Sequence, residues 1–226
     1  MTKIQLWSGV IMRRIAKQAN IRDLILDGVD VLLARFGYRK MTMEDLARQV
    51  GIGKGTIYLH FPGKEELALA HIDRIVERLL QRLREISAGP VSPQKRIRAM
   101  LVTRVLFRFD SVAHYSQNLN DLLAAVREEL LVRRRGHFEN EAQEFAKVLE
   151  AGRAEGVFAC PDSRSTAQLL IWSTNSMLPF NLTAAELGNR DELEERVSLL
   201  AGLLLQGLLR RPQDKVKPKK KDKTKK

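Results

Sequence analysis

The sequence has little of what disulfide-bonded, metal-binding and membrane-spanning proteins need. Cys160 is its single cysteine, which excludes an intramolecular disulfide and a cysteine-based zinc site and favours a reducing cytosol. The four histidines include no H-x-x-x-H pair. No apolar run approaches the ~20 residues that span a bilayer, and the N-terminal segment lacks the charge order of a signal peptide. We therefore expect a cytoplasmic protein without a cofactor and without a membrane partner.

Patterns typical of strands and of enzymes are also missing. The chain has no sustained alternation of β-branched residues, and nearly every segment has helical periodicity. Glutamates such as Glu128 and Glu129 lie in patterns typical of solvated helix faces, and no Ser-His-Asp arrangement can be argued. The sequence thus predicts an all-α protein of about nine helices that is not an enzyme.

Positive charge is concentrated at the two ends of the chain. Residues 1–64 hold 11 Lys/Arg and 5 Asp/Glu, residues 65–211 hold 20 of each, and residues 212–226 hold 8 Lys and 2 Asp. A basic segment beside a neutral body is typical of a separate nucleic-acid-binding module. We predict an N-terminal extension at 1–20, a small basic domain at 21–63, a larger helical domain at 64–211 and a disordered lysine-rich tail at 212–226.

Apolar spacing and breakers predict the order of the helices. The first is expected at 21–36, with Asn20 as its candidate cap and Gly37 at its end. The others are expected at 42–51, 54–60, 64–86, 93–109, 120–153, 163–178 and 191–210. The 120–153 segment, which holds Gly136, is long for a globular helix and is either kinked or divided into two.

The stretch GIGKGTIYLHF, at residues 51–61, poses a choice between a phosphate-binding loop and a DNA-binding motif. A phosphate-binding loop needs a glycine five positions before Gly53, a strand in front, and Ser or Thr after Lys54. The chain instead has Arg48, a helical pattern and Gly55 at these places. The nucleotide-binding interpretation is therefore poor.

A helix-turn-helix fits the same stretch. Thr42 is placed to cap the first short helix with Asp45 reaching back, and Gly51 follows that helix where a left-handed turn is needed. Ile57 and Phe61 are expected to face the core of the domain. The side chains that then project outward are Lys54, Thr56, Tyr58, Leu59 and His60. Such a set suits phosphate and base contacts, although Tyr58 and His60 also suit a purely structural aromatic pair.

A known family has the same pattern. The segment TMEDLARQVGIGKGTIYLHFPGKEELALA, at residues 42–70, closely resembles the DNA-binding region of the TetR family of bacterial transcriptional regulators. By motif position the resemblance implies DNA contacts from Thr42, Lys54, Gly55, Thr56, Tyr58, His60 and Lys64. Leu59, where many members carry another aromatic residue, departs from the family pattern and is kept among the candidate DNA contacts by its position alone.

The resemblance also implies an architecture and a way of working. Residues 21–63 would be a three-helix DNA-binding domain, and residues 64–211 a helical ligand-binding and dimerisation domain. The expected partners are a double-stranded DNA operator, a second copy of the chain and a small-molecule effector, in a nucleoid-associated bacterial regulator. The most common outcome would be repression that ends when a largely hydrophobic effector releases the protein from a palindromic operator.

Two residue sets in the larger domain follow from this expectation. The helices at 163–178 and 191–210 would pair with their symmetry mates, although the second is nearly as compatible with an ordinary core helix. Its candidate interface residues are Val197, Leu200, Ala201, Leu204 and Leu208, with Leu199, Leu203 and Leu205 widening the apolar face. The candidate effector-pocket residues are Phe107, Phe138, Phe145, Trp172, Asn175 and Met177.

Two other classes of function remain open on sequence alone. A DNA-binding protein without an effector would use the same motif and gain affinity from its lysine tail. A helical enzyme is disfavoured because no acid, base or metal group stands out. Arg13, Arg14 and Lys17 either reach phosphate groups or belong to an extension that does not contact DNA.

Overall fold

The computed structural model describes residues 3–179, 186 and 188–210, with residues 3–20 as backbone alone. The predictions for the tail at 212–226, and for the side chains of Arg13, Arg14 and Lys17, lie outside this part. Within the described residues the chain is helical, apart from an isolated antiparallel bridge between Phe158 and Leu209. No described helix is both long and apolar enough to cross a membrane.

The helices follow one another with short connections. They are α1 (Lys3–Lys40), α2 (Met43–Val50), α3 (Lys54–His60), α4 (Lys64–Ser87), α5 (Pro93–Val112), α6 (Leu119–Ala125), α7 (Arg127–Ala154), α8 (Ser163–Ser173) and α9 (Arg190–Leu208). A 3₁₀ segment at Ala113–Asn118 joins α5 to α6, and a shorter one at Asn175–Met177 follows α8.

The first helix is longer than its predicted range of 21–36. It begins at Lys3, so Asn20 lies inside it and does not cap it, and the backbone has no boundary at residue 20. The helix continues because residues 3–20 contain no proline and a single glycine, which costs only about 1 kcal/mol within a helix. Gly37, with a φ of 70°, interrupts the helical conformation near the C-terminal end, where the sequence predicted it.

One predicted division of a helix is confirmed, and one other predicted range needs correction. The 120–153 segment is divided into α6 and α7, and the break lies at Val126, while Gly136 is inside α7. The helix predicted at 163–178 ends at Ser173, where Thr174 turns its hydroxyl back to the carbonyl groups of Leu170 and Ile171. Such local hydrogen bonds compete with helix continuation and leave no strong sequence signal.

Two apolar cores organise these helices. The first joins α1–α4 to the Ala113–Asn118 segment and α6, through residues such as Tyr115, Leu119 and Leu122. The second lies between α4, α5, α7, α8 and α9. Helix α4 contributes to both cores, so it connects the small N-terminal helices mechanically to the larger body.

Candidate nucleic-acid interface and effector cavity

The turn between α2 and α3 has the geometry that the sequence predicts. The Thr42 hydroxyl accepts a hydrogen bond from the backbone N–H of Asp45 (3.0 Å) and donates one to its carboxylate (2.6 Å), which lowers the pKa of Asp45. Gly51 has a φ of 74°, and its N–H donates to the carbonyl of Ala47 (3.0 Å). An L-residue other than glycine is strained in this left-handed conformation.

Helix α3 turns its apolar side inward and its polar side outward. Ile57 and Phe61 are fully buried in the first core. On the opposite side Lys54 and Gly55 are exposed, Thr56 and His60 are half-buried, Tyr58 is 45% exposed and Leu59 is 85% exposed. A single exposed leucine is ordinary on a protein surface, so the role of Leu59 as a DNA contact stays a prediction.

Residues of α1 that the sequence did not single out support α3. Arg22 donates a hydrogen bond from Nη1 to the carbonyl of His60 (3.1 Å), and its guanidinium lies 4.3 Å from the centre of the Phe61 ring. A cation at this position satisfies a carbonyl group at the C-terminal end of α3 and complements the helix dipole there. The helix-turn-helix motif does not reveal the role of Arg22, because its partner His60 lies 38 positions away in the sequence.

Two predicted DNA contacts already have partners within the protein. The Thr42 hydroxyl is engaged in the cap of α2, so its role as a DNA contact stays a prediction. The Lys64 ammonium donates to the carbonyl of Arg39 (3.1 Å) and lies 4.4 Å from the centre of the Tyr38 ring, and its partial burial lowers its pKa. Lys64 thus fixes the start of α4 against the end of α1.

A cavity of about 230 Å³ lies between α4, α5, α6 and α7. Its walls are largely aliphatic, with Ile72, Ile75 and Val76 from α4 and Leu119, Leu122 and Leu130 from α6 and α7. Tyr115 also lines it, and the Tyr115 hydroxyl forms a hydrogen bond with the Nε2 of His71 (3.1 Å). Ligand pockets commonly have such apolar walls with few polar groups.

Of the predicted pocket residues, Phe138 alone lines this cavity. Phe145 is fully buried in the second core, Phe107 packs against that core, and Met177 packs against neighbouring residues of α5 and α9. Asn175 accepts a hydrogen bond from Arg104, and Trp172 is exposed on α8. These five residues therefore lie outside this cavity, and sequence alone could not separate them from its lining because apolar and aromatic residues are as common in helical cores as around ligands.

A buried charge cluster lies beside the cavity. Glu141 accepts hydrogen bonds from Arg104 (2.6 Å) and from Arg108, and neither Glu141 nor Arg104 has any exposed surface. Burial would raise the pKa of Glu141, but the two guanidinium groups bring it below its ordinary value, while burial lowers the pKa of Arg104 to about 10. Glu141 and Arg104 are therefore charged at neutral pH, and with the guanidinium of Arg108 the cluster has a net formal charge of plus one.

The exposed apolar surface of α8 and α9 differs from the predicted interface. Val197 and Ala201 are fully buried inside the protomer, and Leu200, Leu204 and Leu208 are half-buried. The side chains that face outward are instead Leu169, Trp172, Leu199 and Leu203, each 60–68% exposed. Val197 and Ala201 belong to the core because α9 is apolar on most sides and its sequence leaves the buried face ambiguous, while the pairing of α8 and α9 with their symmetry mates stays a prediction.

Comparison with known proteins agrees with this architecture. The family model described as "Bacterial regulatory proteins, tetR family" matches residues 25–71, which include α2, α3 and the start of α4. A crystal structure of a TetR/AcrR-family regulator from Thermobifida fusca is 26% identical, with a TM-score of 0.65 over 85% of this chain and 100% of that one. Residues 25–71 thus match the TetR-family model, and the described chain has the fold of a TetR/AcrR-family regulator.

Two further proteins show how far the similarity extends in fold and in sequence. A TetR-family regulator from Pectobacterium atrosepticum has the same fold, with a TM-score of 0.68 at 20% identity over 87% of this chain and 98% of that one. The transcriptional repressor KstR2 of Mycobacterium tuberculosis H37Rv is 29% identical over 105 residues, 46% of this chain and 50% of that protein. The chain spans about half the length of the curated relatives it matches. The TetR family is one of transcriptional regulators that bind DNA and dimerise, not of enzymes.

Proposed function

We propose that this TetR-family protein is a sequence-specific repressor that binds a palindromic operator as a homodimer and leaves it when a small molecule binds. The single observation that carries the proposal is the orientation of α3. Its buried Ile57 and Phe61 fix it from behind, while an exposed set of lysine, threonine, tyrosine and leucine side chains projects outward. A short helix presented in this way suits the major groove of duplex DNA.

The exposed residues of α3 have separate roles in this proposal. Lys54, at the first turn, would contact phosphate, and Gly55 would let the backbone approach the duplex closely. Thr56 and Tyr58 carry hydroxyl groups that donate to phosphate or base edges. Leu59 has no hydrogen-bonding group, so its strongly exposed methyl groups would contact a thymine methyl group.

The homodimer would be formed by α8 and α9. Leu169 and Trp172 are one helical turn apart on α8, as are Leu199 and Leu203 on α9, and all four are more than half exposed. The neighbouring Gly202 has no atom within 4 Å of the position of a Cβ, which leaves open space for a partner helix. Two protomers paired through these helices would present two copies of α3 to two half-sites.

The cavity favours a regulator that an effector controls over a DNA-binding protein that has no effector. Helix α4 lines the cavity with Ile72, Ile75 and Val76, and from its other side Arg74 binds the Asp27 carboxylate of α1 (2.7 Å). A ligand that favours a different position of α4 would therefore displace α1 and the DNA-binding helices with it. Operator affinity would fall by the ratio of the ligand's affinities for the two conformations.

The relatives similar to this chain include an activator as well as repressors, so their names do not decide between repression and activation. KstR2 of M. tuberculosis is a transcriptional repressor, and its similarity to this chain covers 105 residues. A repressor needs to occupy its operator in the absence of ligand and to lose affinity when ligand binds. The alternative, an activator, would require the opposite or a contact with the transcription machinery, for which no described surface gives an argument.

Selection of duplexes from a random DNA pool with the purified protein tests the proposal. We expect enrichment of an inverted repeat whose half-sites lie about 34–36 Å apart or at a larger whole number of helical turns. Repeating the selection with Leu59→Ala should keep the repeat but lose a thymine preference at one position of each half-site. Failure to enrich any sequence with the wild-type protein would refute sequence-specific binding.

A further inference from the structure

The charge of the cavity wall is unusual for a pocket that would bind a purely hydrophobic molecule. Arg108, Arg127, Arg134 and His137 line it, and no aspartate or glutamate is among its described lining residues. The Nε2 of His137 lies 3.1 Å from the carboxylate of Asp73. The three arginines therefore decide the electrostatic character of the cavity.

Arg108 brings uncompensated charge close to the cavity. It shares the carboxylate of Glu141 with Arg104, and within the described part of the chain Glu141 is the one carboxylate within 4 Å of either guanidinium. The cluster of two cations and one anion is buried, so water screens its excess positive charge poorly. An anion in the cavity would compensate this charge.

Arg127 and Arg134 add charge along one wall. They are seven residues apart on α7, which places them on the same face of the helix at a separation of about 10 Å along its axis. Arg134 is half-buried and its guanidinium lies 5.5 Å from the centre of the Phe138 ring. Arg127 is exposed, at the start of α7, and the described residues provide no carboxylate partner for it.

The size of the cavity limits how much of a ligand it encloses. Its volume of about 230 Å³ is below the ~300 Å³ at which typical ligand pockets begin, so a short apolar chain fills it. The aliphatic walls of α4 and α6 suit such a chain. A polar group at the end of the chain would then lie at the edge of the cavity, where Arg127 is exposed.

We infer that the effector is an amphipathic anion, with a short apolar body between α4 and α6 and a carboxylate directed to Arg127. This inference rests on the proposed function of the cavity as the effector site and specifies the chemistry of its ligand. A guanidinium pairs with a carboxylate through two parallel hydrogen bonds, which a neutral amide of the same shape cannot reproduce. The cavity should thus distinguish an acid from its amide.

Calorimetric titration of the full chain with octanoate and with octanamide, both below their aggregation limits, tests the inference. These probes have the same number of carbon atoms and differ in charge. We expect octanoate to bind about tenfold more tightly than octanamide, which corresponds to the loss of one charge-assisted hydrogen-bonded pair. Equal affinities, or no binding of octanoate at millimolar concentration, would overturn the inference.

A matched pair of variants locates the anionic group. Arg127→Gln should bring the two affinities to within about twofold of each other, because it removes the guanidinium but keeps a polar side chain. Arg135→Gln, an equal change of charge at an exposed residue of α7 outside the cavity lining, should preserve the preference for octanoate. A preference that survives in Arg127→Gln would overturn the assignment to this residue.

DNA binding is measured separately, so that the two proposals can fail independently. Each preparation is titrated with a selected operator in the absence and in the presence of octanoate. Loss of operator binding by the wild-type protein would contradict the proposed function, whereas the ratio of octanoate to octanamide affinity would still decide the chemistry of the cavity. If octanoate binds and the operator affinity does not change, the ligand class stands and the regulatory mechanism is wrong.

Discussion

His71 should make the stability of the protein strongly dependent on pH. Its imidazole is 1% exposed, on the face of α4 that packs against α1 and the Ala113–Asn118 segment. Burial is the main reason that its pKa falls from an ordinary value of 6.5 to about 3. The carboxylate of Asp30, 3.6 Å away, and the imidazole of His114, 3.0 Å from the same carboxylate, face it from the neighbouring elements. Because His71 is neutral at ordinary pH, its contact with Asp30 is not an ion pair.

Other charges of α4 and α1 contribute to this shift. Arg74 and Arg78 lie on the same helix as His71 and lower its pKa further, while Asp27 on α1 acts in the opposite direction. Arg74 is bound to the Asp27 carboxylate (2.7 Å), so the effect of that carboxylate on His71 is largely neutralised. The balance of these charges therefore keeps the neutral imidazole favoured.

The direction and size of the effect follow from proton linkage. The unfolded chain binds a proton at His71 below pH 6.5, whereas the folded chain binds it only near pH 3, so acid favours the unfolded state. The contribution of the neutral His71 to the free energy of unfolding is fully present above pH 6.5. It is lost progressively as the pH falls from 6.5 towards 3. At pH 5 the unfolded state gains about 2 kcal/mol relative to pH 7.5, at 1.36 kcal/mol for each pH unit below 6.5.

Urea unfolding followed by circular dichroism, at a fixed protomer concentration, measures this loss. The stability difference between pH 7.5 and pH 5 should be about 2 kcal/mol smaller for His71→Gln than for the wild-type protein, because glutamine does not titrate. Tyr115→Phe removes the hydrogen-bond partner of His71 but leaves the imidazole buried, so it should keep the wild-type pH dependence. Identical pH dependence in His71→Gln and in the wild type would refute the reasoning.

Three further substitutions test separate parts of the structure. Glu141→Ala leaves two buried guanidinium groups without a carboxylate, so we expect the free energy of unfolding in urea to fall by about 3–5 kcal/mol. A much smaller decrease would contradict the buried network. Gly51→Ala meets no atom within 4 Å, so its expected cost of about 1 kcal/mol measures backbone strain at positive φ alone. Leu203→Glu should shift the dimer towards monomer in sedimentation velocity. Val91→Glu, at an exposed valine between α4 and α5, is the control and should not shift it. The same mass for both variants would contradict the α8–α9 interface.

The DNA-binding helices are predictable from sequence because their signals are local. The Thr42 cap, the Gly51 turn and the burial of Ile57 and Phe61 all involve residues within a few positions of one another. Each of these signals has a fixed spacing, set by the helix period or by the conformation of a tight turn. The outward set on α3 then follows by exclusion.

The cavity and the dimer surface depend instead on how distant helices pack. Nothing local distinguishes Phe138, which lines the cavity, from Phe145, which fills the second core two turns later on the same helix. Arg127 and Arg108 look like ordinary surface cations in the sequence, although one lies at the cavity and the other binds a buried glutamate. Such assignments require the three-dimensional structure.

The assignment of α3 as the DNA-binding helix is tested by the affinity of Lys54→Glu for a selected operator. The affinity is measured by fluorescence anisotropy over a series of salt concentrations. We expect a loss of affinity of about tenfold or more, because a phosphate contact disappears. The slope of log affinity against log salt concentration should also be lower by about one for each protomer bound. Lys95→Glu, the same substitution at an exposed lysine of α5, should change neither quantity. Equal affinities and slopes for the wild type and both variants would contradict the assignment of α3 as the DNA-binding helix.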